Sequence, residues 1–180
     1  MVVIHAAQKL LNTSRIEGRR YVTAAGEGQM LQNWYARLVK SSFRGHLFTL
    51  YVHHPTLMAV LCYGKTIKTS FPVFLERLPM LLDRFDFPAA FIQKEMGLMD
   101  EVIVSKAGDK SMVGHMNNMI FDIEYQFGIT EVVDASILFE CEDYMMRHFH
   151  KSKVDKKYTM PISFWREHFN NPEMGGKERL

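Results

Sequence analysis

Cysteine is scarce in this chain of 180 residues, which contains only Cys62 and Cys141. Neither has a close partner, so a zinc knuckle and a redox Cys-x-x-Cys pair are excluded. Cys62 lies in the apolar run Leu57–Tyr63 and Cys141 in the acidic run Glu140–Asp143, and both are expected to be buried, inert thiols. Long apolar runs are missing as well. No window approaches about eighteen uncharged apolar residues, which excludes a membrane-spanning helix. The apolar start Met1-Val2-Val3-Ile4 is interrupted at His5, too soon for a signal peptide, so a cytoplasmic protein is expected. Internal repeats and low-complexity tracts are also lacking.

The chain is 47% hydrophobic and 12% aromatic, ample material for a packed core at this length. A net charge of +2 conceals a division along the chain. Residues 1–68 hold nine Lys/Arg against Glu17 and Glu27, net +7. Residues 69–150 hold six against fourteen acids, net −8. Residues 151–180 hold seven against four, net +3. Such asymmetry points either to nucleic-acid contact or to self-complementary surfaces, within one domain or between two copies.

Val2–Ala6 reads as a short buried strand, with a helical turn at Gln8–Leu11 and a long basic loop over Asn12–Gly28. Leu31, Trp34, Tyr35 and Leu38 repeat at helical spacing and predict a helix over Met30–Val39. His46–His53 and Leu57–Tyr63 predict a β-hairpin across His54-Pro55-Thr56. Both faces of its first strand are mostly apolar, which suits the middle of a sheet. Ser70 is expected to cap a helix that Pro79 kinks or divides. A short helix or turn over Phe85–Met99 and a strand over Glu101–Ser105 follow. Val132-Val133 predicts a last short strand, and Asp134 or Ser136 caps a helix to about Phe149 with Ile137, Leu138, Cys141, Met145 and Phe149 inward. The expected architecture is a single α+β (mixed α/β) domain over residues 1–150, with four to five strands and packed helices. Residues 151–180 are expected to form a basic linker and tail, with a small helix at Ser163–Phe169.

The segment Gly108–Phe127 carries the most information. Met112, Val113, Met116, Met119, Ile120, Ile123 and Phe127 share one arc of a helix and form its core-facing stripe. His115, Asn118 and Asp122 share a second, narrower arc. This chain resembles an uncharacterised bacterial domain-of-unknown-function family found in genomes and mobile elements. The resemblance spans roughly residues 2–127 and rests on Ala6-Ala7-Gln8-Lys9-Leu10-Leu11, on Trp34-Tyr35 and on Lys110-Ser111-Met112-Val113-Gly114-His115-Met116-Asn117-Asn118. It differs from the family's pattern at Lys110, where an arginine is usual, and at Asn118, where an acid is usual. The resemblance implies a fold and no activity.

Three candidate sites follow. His115, Asn118 and Asp122 would form a base oriented by a carboxylate beside a substrate-binding amide, although no nucleophile accompanies them. Lys110, Ser111 and Gly114, at the helix N-terminus after Gly108, would hold a phosphate; an ordinary cap by Asp109 or Ser111 accounts for the same residues. The cations Arg15, Arg19, Arg20, Arg37, Lys40 and Arg44 would track a nucleic-acid backbone. His53-His54 and His148/His150 do not share faces, so no metal site is expected, and no cofactor is implied. The leading expectation is a binding module contacting nucleic acid or an acidic protein through its basic first third. The alternatives are an enzyme acting on a phosphorylated small molecule or nucleotide at Gly108–Asp122, and a homo-oligomeric interaction domain.

Overall fold

A computed structural model describes residues 1–18, 29–40, 47–128, 134–151 and 157–170. A mixed five-stranded sheet organises them into one α+β domain. Its strands are β1 (Val2–Ala6), β2 (Asn33–Lys40), β3 (Leu47–His53), β4 (Ala59–Tyr63) and β5 (Val102–Lys106), in the order β4-β3-β2-β1-β5. β1 pairs in parallel with both β2 and β5, whereas β3 is antiparallel to β2 and to β4. Six helices lie among the described residues: α1 (Gln8–Ser14), α2 (Ile67–Arg84), α3 (Ala89–Gly97), α4 (Lys110–Gly128), α5 (Ala135–Arg147) and α6 (Pro161–Asn170). A two-stranded ribbon of β6 (His150–Lys151) and β7 (Tyr158–Thr159) precedes α6.

Two cores flank the sheet. On one face Ile4, Trp34, Tyr51 and Val60 pack with Leu10 of α1, with Phe74 and Leu78 of α2, and with Ile162 and Trp165 of α6. On the other, Tyr35, Val39, Phe48 and Leu61 meet Met112, Met116, Met119 and Phe127 of α4 and Leu138 and Met145 of α5. Both faces of β2 and β3 are therefore buried, and neither strand needs the polar alternation of a half-exposed one.

That two-sided burial explains the main correction. Met30–Val39 is not a helix; Asn33–Lys40 is a strand, with Trp34 on one core and Tyr35 on the other. The spacing of Leu31, Trp34, Tyr35 and Leu38 fits a helix, but a strand buried on both faces shows no period of two either. Pairing with β1 and β3 then decides. The buried Glu95 carboxylate secures the entry to β2, accepting the backbone N–H of Met30 at 3.1 Å and of Leu31 at 2.7 Å.

Smaller corrections concern helix ends. Thr66, not Ser70, caps α2, in a reciprocal box with Thr69. Ser70 lies inside the helix, buried, with its hydroxyl 2.8 Å from that of Tyr51. α2 runs through Pro72 and Pro79 as one element and is not divided. α1 continues to Ser14, so the first residues assigned to the basic loop are helical. Asp134 caps α5 as expected, accepting the N–H groups of Ser136 and Ile137. α5 stops at Arg147, however, and Phe149 is 59% exposed rather than inward. The expected strand at Val132-Val133 lies outside the described residues. Both cysteines are buried and free.

A polar hub joins the two helical layers past the sheet edge. Fully buried Glu142 of α5 accepts from Arg77 Nη2 at 2.8 Å, Arg84 Nη2 at 3.1 Å and the Leu61 N–H of edge strand β4 at 3.0 Å. The two guanidinium carbons lie 4.6 and 4.3 Å from the Phe139 ring centre. A Glu142→Ala substitution leaves Arg77 buried without its counter-charge and should cost about 3–5 kcal/mol. Urea unfolding measures this, and a loss below about 1 kcal/mol would show that water replaces the carboxylate.

Candidate functional site

The three parallel strands create a crevice by their topology. β1 sits between β2 and β5, and the chain leaves its C-terminal end for one neighbour while the other arrives later. Ligands of open α/β sheets bind outside strand C-termini at such a divergence. Here Ala6 pairs with Ala36 on one side and Lys106 on the other, so Arg37–Lys40 of β2 project past the end of β1. A cleft of about 710 Å³ opens there, bounded by the start of α1, the end of β5 and one flank of α4. Its size suits a ligand-binding pocket.

Lys9 of α1, Arg37 and Lys40 of β2, and Lys106 of β5 all line this cleft, and among the described residues Glu124 is its one lining acid. The Arg37 guanidinium donates to the side-chain oxygen of Asn117, which holds it against α4. The Lys40 backbone N–H donates to Glu124 at 3.3 Å. Among the described residues no carboxylate forms an ion pair with Lys9, Arg37, Lys40 or Lys106. The cleft thus gathers four cations from three elements against one lining carboxylate among the described residues, and none of the four is held in an ion pair there.

Arg37 and Lys40, singled out by charge alone, are therefore brought together. Arg15 is exposed and sits at the left-handed C-cap of α1, outside the cleft. Arg19, Arg20 and Arg44 lie outside the described residues. Lys110 and Ser111 occupy the first turn of α4 and Gly114 the start of its second, all outside the cleft. There the Asp109 carboxylate accepts the N–H groups of Ser111 at 2.7 Å and Met112 at 3.2 Å, taking two donors that an anion would use. Lys9, Lys106, Asn117 and Phe121 were not singled out by sequence reasoning. Lys9 and Asn117 lie within the motifs Ala6–Leu11 and Lys110–Asn118, Lys106 sits at the end of a parallel strand, and Phe121 carried no signal of its own.

His115, Asn118 and Asp122 lie on the flank of α4 turned away from the cleft, and none of them lines it. Instead His115 meets His150 with ring centres 6.3 Å apart, and His150 meets His148 at 5.3 Å. The Tyr144 ring lies tilted against His148, with ring centres 4.9 Å apart. Helical spacing separates His148 from His150, but α5 ends before both, and β6 brings them together. Burial, reinforced by the two neighbouring rings, pushes the His150 pKa down to about 4. Among the described residues, no three His, Cys, Asp or Glu side chains form a metal-ligand set. His53 is fully buried, 2.8 Å from the Thr56 hydroxyl and 2.9 Å from the Met30 carbonyl, and burial lowers its pKa to about 3. It is a structural histidine.

The fold and this site define a three-layer α+β domain with a cationic cleft at the ends of its parallel strands. A family model described as a domain of unknown function (DUF6933) matches residues 3–164, and the chain belongs to that family. No curated protein matches the chain. No helix among the described residues is long and apolar enough to cross a membrane.

The buried histidines set a pH dependence. His53 and His150 hold folded pKa values near 3 and 4 against an ordinary 6.5, so the unfolded chain binds more protons below neutrality. Their stabilising neutrality is fully present above about pH 6.5 and is lost as pH falls toward the folded values. His150→Phe removes one such proton and should flatten the stability–pH slope by about 1.4 kcal/mol per pH unit near pH 5. Urea unfolding across pH 5–7 reads the slope, and an unchanged slope would mean His150 is protonated in the folded state.

Proposed function

We propose that this protein is a binding module that takes a nucleic-acid backbone in the cleft at the ends of β1, β2 and β5. One observation carries the proposal: Lys9, Arg37, Lys40 and Lys106 converge from three elements on one cleft that, among the described residues, a single acid enters. A row of cations without carboxylate partners attracts phosphates and gains by releasing their counterions. The strong positive charge of the first third then has a use. Lys9, Arg37 and Lys40 all belong to it, and Lys106 joins them from the acidic middle.

The alternative of catalysis at His115, Asn118 and Asp122 draws no support from the cleft, since those side chains stand on the opposite flank of α4. Nor does the acidic middle of the chain require a second copy as its partner. Some of its acids are engaged internally: Glu142 and Asp143 by Arg77 and Arg84, Glu95 and Glu124 by backbone N–H groups of the first third.

Fluorescence anisotropy of a labelled oligonucleotide with rising salt is the test. Four phosphate contacts predict a slope of log K against log salt of about −3 to −3.5. The double variant Lys9→Glu/Lys106→Glu should weaken binding strongly and flatten the slope by about 1.5–2. Absence of binding even at low salt would overturn the proposal, and binding to acidic polypeptide but not to oligonucleotide would reassign the cleft to an acidic protein.

A further inference from the structure

The outer crest of α4 carries two large aromatic side chains that nothing in the described fold covers. Phe121 is 71% exposed and Tyr125 61% exposed. They are four residues apart and so stand one turn from each other on the same line of the helix. Phe121 also lines the cationic cleft, whereas Met112, Met116, Met119, Ile123 and Phe127 of α4 turn inward to the core with Tyr35, Val39 and Phe48. On a helical projection Asn117 and Glu124 fall to the cleft side of this crest and Asn118 and Asp122 to the side of α5. Phe121 thus rises from the wall of the cleft, and Tyr125 stands one turn further along the same crest.

We propose that the cleft and this crest together form a site for single-stranded nucleic acid, with phosphates among Lys9, Arg37, Lys40 and Lys106 and bases stacked on Phe121 and Tyr125. The inference rests on the reading of the cleft given above and adds the form of the ligand. Charge complementarity supplies the backbone half, because among the described residues Glu124 is the only lining acid. The aromatic half selects strandedness. In a duplex the bases are stacked on one another and paired, and no flat face is free to lie on an exposed ring. In a single strand every base offers one, and stacking on aromatic side chains tolerates any sequence. The spacing serves the same end: ring-bearing positions one turn apart have Cβ atoms about 5–6 Å from each other, which lets neighbouring bases each find a ring. A protein partner is less well matched, because the cleft beside the rings is strongly cationic while the rings stand on a polar outer face with Asn118 and Asp122.

The experiment uses the full chain and three probes: labelled oligothymidylate, a duplex of equal length, and inorganic polyphosphate, which has the charge of a backbone and no bases. An oligouridylate arm separates RNA from DNA. The single strands should bind more tightly than the duplex. Phe121→Ala and Tyr125→Ala should each weaken single-strand binding roughly tenfold. Both should leave polyphosphate binding, read by calorimetry, unchanged. Phe121→Trp should retain single-strand affinity, because it keeps a stacking face. Both positions are exposed, so unchanged thermal unfolding is expected of the variants and confirms that any loss is local. Polyphosphate binding with duplex held as tightly as single strand, or with both alanine variants at full affinity, overturns this inference and leaves the cleft reading in place. Failure of every probe, polyphosphate included, at low salt overturns both.

Discussion

The carboxylate of Glu142, with no contact to water, is the constraint on which the arrangement of layers depends. An ionised carboxylate in such a place is tolerable only with charge partners and donors around it. Arg77 and Arg84 supply the first from α2, and the Leu61 N–H supplies the second from the edge strand. One group therefore ties α5, α2 and β4 together, on both sides of the sheet. It also occupies a backbone donor on the edge strand that would otherwise be open to pairing with another chain. α5, once docked, walls the flank of α4 away from the cleft, and the two helices share the second core with Tyr35, Val39 and Phe48.

The position of α4 in turn creates the cleft. Its methionine-rich stripe presses on β2, and the same contact places Asn117 against Arg37 and Glu124 against the end of β2. Only a flank of the helix then faces the cavity beyond β1. That flank carries Asn117, Phe121 and Glu124 beside the aliphatic Val113 and Ile120, and His115 on the opposite flank reaches a separate cluster of histidines near α5 and β6. A single amphipathic helix thereby serves three surroundings: core, cleft and interhelical seam. Membership in a family of unknown function supplies no chemistry for any of them, so the electrostatics of the cleft bear the functional argument.

Much of the fold was legible in local signals. Val2–Ala6 is the strand its apolar run announced, the hairpin spans Leu47–Tyr63, and the stripe from Met112 to Phe127 is buried as its periodicity required, with half-buried Val113 at the cleft edge. Errors arose where the deciding partner was remote in sequence. Leu31, Trp34, Tyr35 and Leu38 are compatible with a helix until β1 and β3 pair with them. Ser70 is an acceptable cap until Tyr51 takes its hydroxyl and Thr66 caps instead. His148 and His150 look separated for as long as α5 is imagined to continue through them.

The site divides in the same way. Sequence alone determined which residues carry charge and that the charge is segregated, because composition does not depend on folding. It also determined the faces of α4, because helical geometry converts spacing directly into direction. Only the tertiary structure decided which cations meet. Lys9, Arg37, Lys40 and Lys106 come from distant parts of the chain, and parallel pairing of β2 and β5 with β1 sets their ends side by side. It also decided that the Ser111 turn is already occupied by Asp109, while the flank bearing Asn117 and Phe121 borders the open space. Packing of α4 on the sheet, a long-range event, assigned each face of that helix its neighbour.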